Sequence, residues 1–310
     1  AYCDWKGHRL NLVDMPGYGD FFADARAGLR VVEGAVVVVD AVAGVQVQTE
    51  KVWKLASEYE LPRLVVVNRL DRERADFFRT IEFMGKRLKG RLVALHIPVG
   101  AEAGFKGLVD LVKMKAVLYA GGKPQEQEVP GDLSGLAGEY REKLVEAAAE
   151  TDDELLARYL EEGAIGEAEM LKALRKGIAE GKVVPVLCAA ATKTIGSLPL
   201  LDALIESFPS PLDRGDVEGT ALKSKEAGRR APDPKAPVAA LVFKTIGDPH
   251  VGKLSVFRVY SGTVKSDSQL LNGSKDAKER LGQVAWLQGK TQKAVEALGP
   301  GEIGVVAKLK

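Results

Sequence analysis

The sequence predicts a doubly wound α/β domain that carries an α+β insertion and is followed by an all-β barrel domain. Three observations predict it: apolar runs that do not alternate, helical segments between those runs, and a strand-only region behind a polar linker. From Arg9 the chain reads RLNLV, then an amphipathic FFADARAGLRVVEG, then the all-apolar AVVVVDAV. The order repeats with QTEKVWKLASEYE before LPRLVVVN, and with ADFFRTIEFMGKRLKG before RLVALHIPV. Unalternating apolar strands joined by helices with apolar residues at 3.6 spacing form a parallel sheet covered on both faces.

After Gly100 the rhythm changes. GFKGLVDLVKMKAVLYAGG reads as short strands and turns, and LAGEYREKLVEAAAETDDELLARYLEEG and EAEMLKALRKGIAEG read as two charged amphipathic helices. VVPVLCAA is again a buried-type strand, with the helix SLPLLDALIESF behind it. Residues 99–182 therefore read as an insertion into an α/β domain made of residues 1–98 and 183–212. Residues 213–236, rich in Gly, Pro, Lys and Asp, have the composition of a linker. VAALVFKTI, GKLSVFRVYSGTV and GEIGVVAKLK, separated by Gly-Asp-Pro and Asn-Gly-Ser turns, predict the barrel over residues 237–310. The chain begins close to a strand, without Met, and stops on one. The expectation is an α/β domain truncated at its N-terminus and an incomplete barrel.

Composition limits the function classes. With 310 residues, 46% of them hydrophobic and 28% charged, the chain is of ordinary globular type, and no apolar run reaches the roughly 18–20 residues that span a bilayer. A net charge of +1 supplies no global attraction to nucleic acid, so an RNA partner would be met through local patches. Cys3 and Cys188, far apart in sequence, suit a reducing cytoplasm. His8, His96 and His250 have no Cys or carboxylate at metal-ligand spacing. Trp53 sits at helical spacing and reads as core, and Trp286 reads as packed within the barrel.

Ligands of open α/β sheets bind at the carboxyl ends of the strands. In NLVDMPGYGDF (residues 11–21), Asp14 ends a strand where a carboxylate can hold Mg²⁺ directly or through water. Gly17 would let a backbone amide approach a phosphate oxygen, although a plain turn accounts for Asp-x-Pro-Gly equally well. In VVVNRLD, the Asn68 amide matches a purine O6/N7 edge, and the Asp71 carboxylate matches the N1 and N2 donors of guanine. Arg69 can lie over the base, and the bland alternative is a solvated loop with Asp71 capping the next helix. In CAAAT (residues 188–192), the amides of Ala190, Ala191 and Thr192 could face a base, or the small residues could simply pack. Three such signals in this order describe a guanine-nucleotide site.

NLVDMPGYGDF, VVVNRLDRERADF, FPSPLD and DPHVGKLSVFRVYSGTV together resemble elongation factor G, a translocation GTPase of the ribosome, through the whole chain and its insertion. The resemblance implies a phosphate-loop-type G domain, GTP and GDP with Mg²⁺, the ribosome as partner, a cytoplasmic setting and a monomer. It implies that Asp14 and Gly17 sense metal and γ-phosphate, and that Asn68, Arg69 and Asp71 read guanine with the Ala190–Thr192 loop. Arg69 stands where the family has lysine, and Ala190 where it has serine. Tyr18 stands where the family has the histidine that orients the attacking water, as in elongation-factor-G-like paralogues. A phenol with a pKa near 10 does not replace an imidazole atom for atom. The family contacts ribosomal protein through the insertion, and Lys253, Arg258 and Lys265 could form a basic stripe toward ribosomal RNA. The alternatives are a ribosome-binding module with nucleotide as a structural ligand, or a ribosome-protection GTPase.

No Gly-x-x-x-x-Gly-Lys-Ser/Thr run occurs in these residues. The chain reads as a central fragment whose phosphate loop lies upstream. By itself it should fold yet bind GTP or GDP no tighter than roughly 100 μM by calorimetry, because the loop's amides and lysine supply much of the attraction for phosphates.

Overall fold

A computed structural model describes residues 1–221, 224, 226–248 and 252–309. The chain divides into two compact units, Gly34–Phe208 and Ala1–Glu33 with Pro209–Lys310.

In the unit Gly34–Phe208, four parallel strands form a sheet in the order Ala35–Asp40, Arg63–Asn68, Val183–Cys188, Arg91–Ala94. Leu64, Val65, Val66 and Val67 are buried, as is the whole of Val183–Cys188, so these inner strands are covered on both faces as expected. Ala35–Asp40 is different. Its buried side chains alternate with Val36 and Val38, which is 60% exposed, so one face of this strand is uncovered.

Helix Val47–Glu58 buries Trp53, whose indole N–H donates to the Lys89 carbonyl at 2.9 Å. Helix Phe77–Arg87 begins at Asp76, whose side chain accepts the Arg79 N–H at 2.9 Å, and ends on Lys86 and Arg87, which suit the helix dipole. The capping role open to Asp71 is thus taken by Asp76.

The run RLVALHIPV is two strands. Arg91–Ala94 joins the parallel sheet, whereas His96–Val99 opens an antiparallel sheet with Gly107–Asp110, Lys115–Ala120 and Lys123–Gln127. The two helices expected in the insertion are three: Ser134–Ala149, Asp153–Glu162 and Glu167–Ala179. The long segment breaks because Asp152 caps the second helix, accepting the Leu155 N–H, while Thr151 turns its hydroxyl onto the carbonyls of Ala148 and Ala173. Leu108, Leu111, Leu144 and Met170 share one hydrophobic core with Val65 and Val186. The insertion and the parallel sheet are therefore packed as one body.

In the other unit, Tyr2–Trp5 and His8–Asn11 form a two-stranded antiparallel sheet. This corrects the expectation that RLNLV is the first strand of the parallel sheet. The cause is local: Lys6 and Gly7, with φ of 45° and 78°, make the two-residue turn that closes a tight hairpin. Gln269–Asn272 likewise pairs with Ala277–Arg280, and a five-stranded antiparallel sheet runs Ala239–Asp248, Gly252–Ser261, Ile303–Ala307, Val284–Gln288, Thr291–Val295. Phe257, Val259 and Val306 belong to one apolar cluster of this sheet, and Leu254, Val256 and Val305 to a second. Trp286 packs as expected, its ring 5.3 Å from that of Tyr2. The segment of linker composition holds a hairpin of Val217–Thr220 with Ala227–Arg230.

Arg258 does not join a basic stripe. It is 4% exposed on the strand face opposite Phe257 and Val259, where Glu33 and the Val31 carbonyl pair with it. Lys253 and Lys265 are exposed. His8 is exposed and His96 buried, while His250 lies outside the described residues. No described helix is long and apolar enough to cross a membrane.

Candidate nucleotide site

Parallel pairing brings the strand ends level. Asp40 pairs with Asn68 and Cys188 with Val67, so the loops that carry Asn68–Asp71 and Ala189–Gly196 leave the sheet side by side. The Ala189 N–H donates to the Val67 carbonyl at 2.9 Å, and the Leu70 N–H returns to the Ala189 carbonyl at 3.2 Å. Asn68, Arg69, Asp71, Ala190, Ala191 and Thr192 are thereby gathered at one carboxyl edge.

The side chains of Asn68, Arg69 and Asp71 each have a partner at this edge. The Asn68 side-chain oxygen accepts the Ala191 N–H at 3.0 Å. Its NH₂ end is then the part of the amide that suits an acceptor such as a purine N7. This narrows the expectation that Asn68 would offer both functions to a base. Arg69 sits at φ 67°, and its guanidinium donates to Asp40 Oδ2 at 2.7 Å. With the head group tied there, the aliphatic stem is the part suited to stacking. The Asp71 carboxylate, its side chain only 15% exposed, lies 3.3 Å from the Lys193 ammonium.

The loop after Cys188 departs from expectation in its amides. The Ala190 N–H donates to the Ile195 carbonyl at 3.0 Å and the Ala191 N–H to Asn68, so both are engaged within the protein rather than turned outward together. The loop is short and closes on itself through the pairing of Ala190 with Ile195. Ala190 is fully buried, which is the packing role its size allowed, while Ala191 and Thr192 are exposed. Gly196 is required there: its φ is 83°, and an added Cβ would lie 2.2 Å from the Cys188 carbonyl oxygen.

Asp14, Gly17 and Tyr18 belong to the unit that contains Ala1–Glu33. The strand before them ends at Asn11, so Asp14 stands in the following loop rather than at a strand terminus. Gly17 has open space where a side chain would be. Tyr18 precedes the short helix Gly19–Phe21 and is 79% exposed. Among the described residues, no three His, Cys, Asp or Glu side chains gather as a metal cage.

Two residues of the sheet edge escaped the sequence reading. Lys193 lies just past the CAAAT motif and carried no spacing signal of its own. Asp40 had one, for AVVVVD ends in a carboxylate just as VVVN ends in an amide. Asp40 Oδ1 also accepts the N–H groups of Val42 at 2.8 Å and Ala43 at 3.0 Å. Burial alone would raise the Asp40 pKa. The Ala43 amide, Arg69 and the Val42 amide outweigh it and hold the carboxyl below its ordinary 3.8.

The first two-thirds of the chain, residues 1–210, match the elongation factor Tu GTP binding domain, and residues 237–310 match elongation factor G domain 2. A protein from Thermus thermophilus, known by its crystal structure, is similar over the whole chain at 31% identity and a TM-score of 0.84. The chain spans 46% of that protein.

Because the folded-state pKa of Asp40 is depressed, its contribution to stability is present above the unfolded value and lost as pH falls through the folded one. Urea unfolding should therefore show Asp40→Asn about 1–2 kcal/mol less stable than wild type near pH 7. The gap should shrink at about pH 3, below the ordinary carboxylate range.

Proposed function

Since the chain belongs to the elongation factor G family of translational GTPases, we propose that the full-length protein binds GTP and GDP and hydrolyses GTP on the ribosome, in translocation or a related step, in the cytoplasm. The observation that carries this reading is the gathering of Asn68, Arg69, Asp71 and the Ala190–Thr192 loop at one sheet edge. There the Asn68 NH₂ suits purine N7, the Arg69 stem suits the base face, and the two Asp71 oxygens suit the N1–H and N2–H donors that distinguish guanine from adenine. To accept them, Asp71 exchanges its contact with Lys193 or shares it, since a carboxylate has about four acceptor sites.

Asp14 is the carboxylate we assign to Mg²⁺. It would hold the ion directly or through water. Gly17, with open space about it, is suited to a backbone contact with the terminal phosphate. Tyr18 is the residue assigned to the attacking water. A highly exposed phenol lacks the base strength of an imidazole near neutral pH, which favours slow turnover.

Wild type should bind GTP well above ATP, and Asp71→Asn should shift preference toward xanthine nucleotides, because the new NH₂ meets a carbonyl where guanine has an amino group. Equal affinity for ATP and GTP in competition binding would remove the base site. Tyr18→His should raise ribosome-stimulated GTP hydrolysis by about 10²-fold or more, the usual worth of a positioned water-orienting group. A fast wild-type rate unchanged by both Tyr18→His and Tyr18→Phe would take Tyr18 out of the chemistry.

A further inference from the structure

The loop from Asn68 to Asp76 holds two non-glycine residues in the left-handed region, Arg69 at φ 67° and Arg74 at φ 64°. Such residues persist where their surroundings over-determine them. The Leu70 N–H is bonded to Ala189 and the Asp76 N–H to Ala41, which anchors both ends of the loop. Between the anchors, the Arg72 N–H donates to Arg69 and the Ala75 N–H to Arg72, making two linked turns. Arg74 is held from outside the loop on both backbone groups. Its carbonyl accepts from the Arg79 guanidinium at 3.0 Å, and its N–H donates to Glu102 Oε1 at 2.7 Å.

Glu102 belongs to the insertion, and its own position is fixed. It lies at φ 49° in the turn that joins two strands of the antiparallel sheet. The turn is closed by the Lys106 N–H on Val99 and the Phe105 N–H on Glu102, with Phe105 buried in the core. Gly100, at φ 82°, could not carry a side chain, for its Cβ would lie 2.1 Å from the Gly104 carbonyl oxygen. The carboxylate is therefore presented to Arg74 from a rigid frame in the same compact unit.

We infer that Glu102 is a positioning residue for base recognition: through Arg74 it holds the loop in the shape that aims Asp71 at guanine. The inference rests on the guanine-reading proposal above. Without Glu102, the exposed Arg74 N–H turns to water, which fixes no direction, so Arg74 leaves the left-handed region, the turn Arg72–Ala75 relaxes, and Asp71 no longer aligns both oxygens with N1–H and N2–H. Loss of alignment breaks the two-point contact on which discrimination by the N2 amino group depends.

The test is calorimetric binding of GDP, inosine diphosphate and ADP to the full-length protein and its Glu102→Ala and Glu102→Gln variants. Inosine diphosphate lacks the N2 amino group, so the ratio of GDP to inosine diphosphate affinity reports on Asp71 directly. We expect Glu102→Ala to reduce that ratio about fivefold to tenfold, and Glu102→Gln, whose amide oxygen can take the same N–H, to keep it within about twofold. Glu102→Ser, too short to reach Arg74, takes the place of the alanine variant should that fail to fold. A merely structural role would lower the melting temperature and leave the ratio as in wild type, which would overturn the inference. Equal loss in the Gln and Ala variants would overturn it as well. A wild type that does not prefer GDP to ADP would sink the base site itself, and this inference with it.

Discussion

In a parallel sheet every strand enters at one edge and leaves at the other, so each crossover begins where its strand stops. Arg63–Asn68 lies between Ala35–Asp40 and Val183–Cys188, in register with both. Three segments distant in sequence must then leave the sheet side by side, each about 5 Å from its neighbour. Asp40, Asn68 and Ala189 meet for that reason, and the contacts of Arg69 and Asp71 follow from it. A change that slipped the register by one residue would turn these side chains to the other face of the sheet.

The polar groups at this edge also show how an open mouth can stay ordered. Arg69 with Asp40, Asp71 with Lys193, and Asn68 with Ala191 each join two separate loops. Exposed ion pairs contribute little individually. Here their weight is geometric: they fix loop directions through contacts within the protein, so a ligand at this edge would exchange existing partners instead of ordering a mobile segment. The strained backbone at Arg69 and Arg74 fits that picture, since strain is retained where neighbours forbid relaxation.

Much of this was legible in the sequence because it followed from periodicity. The apolar runs at 63–68 and 183–188 marked the inner strands, and the residues just after them marked the loops that gather at one sheet edge. What escaped depended on competition between local and distant partners. RLNLV has the apolar content of an inner strand, yet Lys6-Gly7 closes a hairpin first. AVVVVD has the composition of a fully buried strand, but only its neighbours in space decide whether Val36 and Val38 are covered. Arg258 has the look of surface charge until Glu33 supplies a partner for it inside. Lys193 and Asp40 acquire meaning only when three loops are superposed at one edge, which no linear motif encodes.

The strand Val183–Cys188 sits between Arg63–Asn68 and Arg91–Ala94, although the whole insertion separates it from both in the chain. During synthesis, the other three strands of this sheet emerge before it, with a vacant slot between Arg63–Asn68 and Arg91–Ala94. Arg91–Ala94 has no partner strand in that sheet until residue 183 and its successors are made. The insertion, whose core is continuous with the sheet, must then wait or fold against an unfinished surface. Such non-local closure carries a high entropic cost before any contact repays it, which makes for slow assembly and a long-lived open edge. This inner strand is the last of the four to arrive, so a ribosome making this protein holds an incomplete sheet for the full time it takes to translate the insertion.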